Sequence, residues 1–181
     1  IWIRRGVRVN PMKKHQKTGG DIFKEATRFC CMSPSTIVIE KNFFWERGGF
    51  DERFPVCEDY DLWLRLCFDQ SVGFISDHLI KKYGGHDDQL SRRFHSMDYW
   101  RIRSLKKIQS FPLDENQRQI VLKELEKKRK ILLKGYKKHQ NLKSYDVYLK
   151  QKEIRATAKK PAKEKVANLT KKTLEKELST T

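Results

Sequence analysis

Apolar and polar positions alternate at the start of the chain and then give way to longer apolar runs. Residues 1–10 alternate apolar with basic side chains, which predicts a β-strand. Residues 11–20 are basic and carry proline and glycine, a composition typical of a loop. A short apolar-rich segment at 23–29 predicts a helix, and the β-branched run at 36–39 predicts a buried strand.

A second short helix is expected just before a pair of glycines. Asn42 is of a residue type that caps helices, and the apolar residues of 43–47 would follow it. Gly48 or Gly49 can adopt the left-handed backbone that ends a helix. The pattern therefore predicts a helix that stops at this glycine pair.

The most regular apolar spacing in the chain lies just beyond this point. Four apolar side chains recur at the spacing of one helical face: Leu62, Trp63, Leu66 and Cys67. The helix they predict begins near residue 58 and places Arg65 on its opposite side. Trp63 belongs to the apolar stripe, so it is expected in the core.

The remaining pattern mixes short strands with longer helices. Residues 72–75 and 79–82 predict strands, while 92–110 and 115–138 predict helices separated by a proline. From residue 161 onward, the Lys, Glu and Thr-rich sequence is expected to be disordered or only transiently helical. The fold class is therefore α/β followed by a helical extension.

Charge divides the 181 residues into two parts. Residues 1–100 hold 16 Lys and Arg against 14 Asp and Glu, a net +2, whereas residues 101–181 hold 24 against 9, a net +15. We therefore expect a nearly neutral domain over 1–110 and a charged helical tail, partly disordered, over 111–181. Such a tail would attract phosphate-rich partners, although a solvated pair of charged helices explains it equally simply.

Cysteine usage and hydropathy suggest a location in the cell. The four cysteines lack Cys-x-x-Cys spacing, and Cys30 and Cys31 are adjacent, which disfavours a mutual disulfide. Buried free thiols in a reducing compartment are expected. No apolar run approaches the ~20 residues of a membrane span, and no signal peptide is recognised. A cytoplasmic protein with peripheral membrane contact through the basic tail is predicted.

Five carboxylates crowd into the segment from Gly48 to Arg65, in a chain that is otherwise basic. They are Asp51, Glu52, Glu58, Asp59 and Asp61. A carboxylate at a helix N-terminus stays ionised and can accept a proton from a hydroxyl group. On chemistry alone, a simpler explanation is also open: the acids cap the helix and pair with Arg53 and Arg65.

The same segment resembles a block of the family 2 inverting glycosyltransferases of GT-A fold. Residues 48–52 read Gly-Gly-Phe-Asp-Glu, and residues 58–65 read Glu-Asp-Tyr-Asp-Leu-Trp-Leu-Arg, with a short spacer between them. Over about residues 30–95, the resemblance implies the C-terminal half of a Rossmann-like GT-A domain. It implies that Asp59 is the base that deprotonates the acceptor hydroxyl, supported by Glu58. Gly49, Phe50 and Asp51 would then shape the acceptor-binding loop.

Members of that family also carry an N-terminal half that binds the donor. Nothing in residues 1–30 resembles its strand–helix pattern or its metal-binding Asp-x-Asp. The chain is therefore expected to be a fragment, with loss of the donor half as the alternative. The resemblance implies a nucleotide-sugar donor, a glycan or lipid-linked acceptor, and Mg²⁺ or Mn²⁺ held mainly by residues outside this chain.

Two further residues are candidates for this site. The resemblance makes His86, which follows a glycine pair, a candidate metal ligand, although a loop histidine bonded to backbone or acceptor is the alternative. Trp100 could stack on a sugar ring of the acceptor.

A different class of function remains open: a non-catalytic basic module that binds anionic membrane or nucleic acid. Residues 112–181 hold only three aromatic residues, all tyrosines, which disfavours nucleic acid.

Overall fold

The computed structural model describes residues 1–9, 16–84, 96–141, 143–144 and 146–148. The chain divides into two units, Ile1–Leu132 and Leu133–Thr181. In the second unit the described residues are largely helical, and Tyr136 and Tyr148 are buried. No helix among the described residues is long and apolar enough to cross a membrane.

The helices agree well with the apolar spacing of the sequence. Their bounds are α1 Phe23–Arg28, α2 Lys41–Glu46, α3 Glu58–Cys67, α4 Met97–Ile108 and α5 Glu115–Lys138. A single 3₁₀ turn occupies Pro34–Thr36. The predicted helices at 23–29, 43–47 and 115–138 are confirmed to within about two residues at each end. The helix predicted over 92–110 is confirmed from Met97 onward, and residues 85–95 lie outside the described ranges.

The first residues of the chain and residues 82–84 form a small three-stranded sheet. Its strands are β1 Trp2–Arg4, β2 Val7–Arg8 and β3 Lys82–Gly84, in the order β2-β1-β3. β1 pairs antiparallel with β2 through a two-residue turn whose residues, Arg5 and Gly6, both have positive φ. β1 pairs parallel with β3. The predicted strand at residues 1–10 is thus two short strands, and the described part is a mixed α/β fold.

Three of the predicted strands were wrong or displaced. Residues 36–39 form no strand within the described ranges, and Val38 is fully exposed. Of 72–75, only Val72 pairs, in an isolated bridge with Gly20. The strand expected at 79–82 forms instead at Lys82–Gly84, where β1 supplies its partner. A strand needs a neighbour, and apolar sequence alone does not provide one.

α3 lies at the centre of the hydrophobic core. Every residue from Tyr60 to Cys67 is buried. The surrounding apolar side chains come from several elements: Phe23 and Ala26 of α1, Leu105 and Ile108 of α4, and Val121 and Leu125 of α5. The predicted domain boundary at residue 110 stays a prediction, but α5 contributes side chains to this core.

The burial of side chains in and next to α3 shows that the expectation for Arg65 was wrong and confirms those for Trp63 and for the cysteines. Arg65 was placed on an outer face, yet only 3% of it is exposed. Trp63 is 1% exposed and is a core residue, as predicted. Cys57 and Cys67 are free, buried thiols, and burial raises their pKa to about 11 and about 12, so both stay protonated at neutral pH.

Candidate active site

Asp59 lies in the first turn of α3, and both of its carboxylate oxygens are engaged. Oδ1 accepts a hydrogen bond from the backbone N–H of Tyr60 at 2.7 Å. Oδ2 accepts one from the thiol of Cys30 at 2.9 Å. The N-terminus of a helix also favours a negative charge. Asp59 is therefore held in one orientation as an ionised, half-buried carboxylate.

The three acids of this first turn have different surroundings. Glu58 and Asp59 are half-buried, whereas Asp61 is 1% exposed. The Nε and Nη2 atoms of Arg65 lie 2.9 and 2.8 Å from Oδ2 of Asp61, one helical turn away. The simpler explanation offered for these acids, pairing with arginine, therefore holds for Asp61. Among the described residues Asp59 has no arginine partner, but its Oδ1 accepts the first-turn N–H of Tyr60, which is the capping role that the same explanation gives to these acids.

The glycine pair before the acidic segment ends α2 in a Schellman motif. The N–H of Gly48 bonds the carbonyl of Trp45 at 2.8 Å, and the N–H of Gly49 bonds that of Phe44 at 3.0 Å. Both glycines have positive φ, where the sequence predicted a left-handed cap at one of the two.

The cap at the other end of α2 differs from the prediction. It is Glu40 rather than Asn42, because the Glu40 carboxylate accepts bonds from the N–H groups of Asn42 and Phe43. A glutamate side chain is long enough to fold back and accept hydrogen bonds from the first turn. The statistical preference for N-cap residues favours asparagine in this role.

Gly49→Ala is expected to destabilise the first unit by about 1–2 kcal/mol, since a Cβ is strained at positive φ. At φ +54° that Cβ would also approach ring atoms of Phe44 and Trp45 to 3.2 Å. Gly73→Ala is the control, because a Cβ there meets no atom within 4 Å. Urea unfolding measures both, and equal midpoints for the two variants would contradict the expectation.

The loop after Gly49 is tied down by Asp51. The Nε and Nη2 atoms of Arg53 each lie 2.8 Å from an Asp51 oxygen, and Nζ of Lys107 lies 2.7 Å from Oδ2. The hydrogen bonds from Arg53 and then Lys107 hold the pKa of the Asp51 carboxyl well below its usual range. Asp51 is thus a fixed anion that orders the loop, which makes it a poor proton acceptor.

Lys107 of α4 joins this loop to α3. Its Nζ lies 2.8 Å from Oδ2 of Asp61 as well as 2.7 Å from that of Asp51. Arg65 makes a second link, since its Nη2 donates to the carbonyl of Gly49 at 2.7 Å and its Nη1 to that of Arg47. The structure therefore brings Gly49 and Asp51 together with Asp61.

An open pocket of about 380 Å³ lies beside this ion network. Phe50, Asp51, Arg65 and Lys107 are among its lining residues, and Phe50 is 45% exposed. Asp59 is not part of the lining; its carboxylate faces Cys30 instead. Two sides of the N-terminal part of α3 thus carry different chemistry, an ion network on one and Asp59 on the other.

Trp100 is half-buried on α4 rather than freely exposed. Its ring lies 5.9 Å from that of Phe54 and 5.4 Å from that of Tyr99, and the Arg103 guanidinium lies 4.9 Å above it. Through Phe54 it contacts the loop that carries Asp51. The remaining candidate, His86, lies outside the described residues.

No group of three or more His, Cys, Asp or Glu side chains among the described residues could hold a metal ion. Two acids of the first turn of α3 are already engaged, Asp61 by two cations and Asp59 by a thiol. Among the described residues, this donor set does not fit a divalent metal.

Two residues of this site were missed by the sequence reasoning. Lys107 sits in a helix with several basic residues, and nothing in the sequence separates it from Lys106. Cys30 was expected to be one of four buried free thiols, with no role assigned to it. Its contact with Asp59 spans 29 positions, which local spacing does not reveal.

The comparison with known families gives a match over the centre of the first unit. Residues 21–74 match the family model described as glycosyltransferase like family 2. This region resembles a glycosyltransferase. The match contains α1, α2 and α3, and with them Gly49, Asp51, Glu58 and Asp59. It ends before Lys107 and Trp100. No curated protein and no solved structure gives a significant match.

The match confirms the resemblance drawn from the Gly-Gly-Phe-Asp-Glu and Glu-Asp-x-Asp segments, in its coarse form. It indicates glycosyl transfer in general as the family's chemistry. It covers less than a third of the 181 residues, and residues 75–95, which the sequence resemblance included, lie beyond it.

Proposed function

We propose that this chain forms the acceptor side of an inverting glycosyltransferase that moves a sugar from a nucleotide-diphosphate donor to a hydroxyl group. One observation carries the proposal. Within the region that matches a glycosyltransferase-like family, α3 presents a half-buried carboxylate, Asp59, that is paired with a neutral thiol and with no cation in the described part of the chain. The other acid on this turn with known side-chain partners, Asp61, is neutralised by Arg65 and Lys107.

Asp59 acts as the general base in this proposal. Its carboxylate takes the proton of the acceptor hydroxyl while that oxygen attacks the anomeric carbon of the donor. The bond between the anomeric carbon and the diphosphate oxygen breaks on the opposite face, so the diphosphate leaves with the bonding electrons and the configuration inverts. Positioned bases of this kind contribute about 10²- to 10⁴-fold to rate.

The neighbouring residues prepare the acceptor side. Gly49 and Asp51 hold the loop in place through Arg65 and Lys107, and the exposed ring of Phe50 lines the pocket there, whose lining does not include Asp59. Trp100 supports the same loop through Phe54, and its contact with the acceptor sugar stays an expectation from the sequence. Glu58, which lies next to Asp59 in the first turn of α3, supports the base in this proposal.

The donor half of the proposal draws on the family resemblance alone. The nucleotide-sugar, a glycan or lipid-linked acceptor, and a requirement for Mg²⁺ or Mn²⁺ belong to it as expectations. The match with a glycosyltransferase-like family favours an enzyme over a non-catalytic basic module.

The stereochemistry of the product tests this proposal. The full-length protein is incubated with α-linked nucleotide-sugars and hydroxyl acceptors, and the anomeric configuration of the product is measured by NMR. We expect a β-linked product, because direct attack by a hydroxyl activated by one base inverts the anomeric carbon. We also expect transfer to stop with EDTA and return with Mg²⁺ or Mn²⁺.

An α-linked product would contradict the assignment of Asp59 as the base of a single displacement. Heat-treated protein is the control for non-enzymatic transfer. Activity that survives exhaustive chelation would remove the divalent metal from the proposal and leave the base assignment in place.

A further inference from the structure

The thiol of Cys30 has two acceptors within reach. Its Sγ lies 2.9 Å from Oδ2 of Asp59 and 3.2 Å from the carbonyl oxygen of Met32. That carbonyl also accepts the indole N–H of Trp63 at 3.2 Å. Trp63 is a buried core residue of α3, so the segment that carries Cys30 is fixed to the same helix as Asp59.

A thiol carries a single proton, so it donates to one of these acceptors at a time. An ionised carboxylate is the stronger acceptor, because hydrogen bonds to charged groups exceed those between neutral groups. Burial, and then the charge of Asp59, raise the pKa of the Cys30 thiol. The thiol therefore remains protonated at neutral pH and donates to Asp59.

We propose that Cys30 is a positioning residue for Asp59, an inference that rests on the proposed function of Asp59 as the base. The Tyr60 N–H holds one carboxylate oxygen and the Cys30 S–H holds the other, which together fix the plane of the carboxylate. When Asp59 takes up the acceptor proton, the thiol proton can turn toward the Met32 carbonyl. Asp59 then gains its proton without leaving the thiol unsatisfied, and no covalent bond to sulfur forms or breaks.

Activity of Cys30 variants in the full-length protein tests the role. Cys30→Ala is expected to lower kcat about tenfold with KM nearly unchanged, since it removes a hydrogen bond to the base and no acceptor contact. Cys30→Ser keeps an O–H donor and should recover most of that loss. Cys31→Ala is the matched control. The thiol of Cys31 has no hydrogen bond to Asp59, so this variant should retain kcat within about twofold of the wild type.

The reactivity of the thiol tests the contact without any transfer assay. Alkylation of Cys30 by iodoacetamide is followed against pH by peptide mass spectrometry in the wild type, in Asp59→Asn and in Asp77→Asn. In Asp59→Asn the alkylation of Cys30 should begin at lower pH, because the negative charge of Asp59 no longer disfavours the thiolate form of Cys30. Asp77→Asn and the buried Cys67 thiol should behave as in the wild type. Equal Cys30 profiles in all three proteins would overturn the inference.

The outcomes of these experiments distinguish the positioning role of Cys30 from the proposed function of Asp59 as the base. Normal kcat in Cys30→Ala together with lost transfer in Asp59→Asn overturns the positioning role and leaves the base assignment standing. Normal transfer in Asp59→Asn overturns the function itself, and with it the role of Cys30. Loss of kcat in Cys30→Ala that serine does not restore counts against a hydrogen-bonding role.

Discussion

Arg65→Met is expected to destabilise the first unit by about 3–5 kcal/mol, because it leaves a buried carboxylate without its main partner. The side chains of Arg65 and Asp61 are 4% and 2% exposed. Methionine also removes the donors to the carbonyls of Arg47 and Gly49. Lys107 remains near Asp61, but its side chain is 28% exposed and is shared with Asp51. Urea unfolding with an unchanged m-value measures the loss.

Arg53→Met is the matched control for this prediction. Arg53 also pairs with a carboxylate, yet its side chain is 77% exposed and its ion pair is screened by solvent, so we expect little change in the free energy of unfolding. The double variant Asp61→Leu/Arg65→Met should be more stable than Arg65→Met alone, since it removes the stranded charge. A loss in Arg65→Met no larger than that in Arg53→Met would contradict the account of a buried ion pair.

The helices of this protein could be predicted from local sequence patterns. The spacing of Leu62, Trp63 and Leu66 predicted α3, and glycines at 48 and 49 predicted the end of α2. Both signals act within one or two helical turns. The same spacing did not show that Arg65 lies inside the core, because an arginine is buried only where distant groups satisfy it. Here those groups include the carbonyl of Gly49, 16 positions earlier.

The strands were harder to predict, because a strand depends on a partner elsewhere in the chain. Residues 36–39 are β-branched, but no described strand lies beside them, and Val38 faces solvent. Residues 82–84 are less apolar, and they form β3 because β1 pairs with them across about 80 positions. Periodicity contains no information on such a distant pairing.

The candidate site shows the same division between local and distant information. The acidic segment and its position at the start of a helix were predictable from residues 48–65. Pairing of Asp61 with Arg65, one helical turn away, was also among the alternatives open from the sequence. The second cation at Asp61, Lys107 of α4, and the thiol bonded to Asp59, which follows α1, were not predictable. Lys107 and Cys30 lie close to these acids in space but far from them in the sequence, so only the structure shows the contacts.

Asp59→Asn is expected to lower kcat for sugar transfer by about 10²- to 10⁴-fold, the range for loss of a general base. Asparagine keeps the shape of the side chain, although its single carbonyl oxygen can accept from only one of the two donors, the Cys30 thiol or the Tyr60 N–H. It cannot take the acceptor proton at neutral pH. The folded structure should therefore persist while the chemical step fails, which initial-rate kinetics on the full-length protein would resolve.

The most direct measurement is the transfer rate of Asp59→Asn against that of Asp77→Asn at equal fold stability. Asp77 is an exposed aspartate, and the same isosteric change there should leave the rate within about twofold of the wild type. If Asp59 is the base, transfer falls at least a hundredfold in Asp59→Asn alone while its unfolding midpoint stays close to that of the wild type. Transfer within a few-fold of the wild type in a folded Asp59→Asn protein would contradict the central claim.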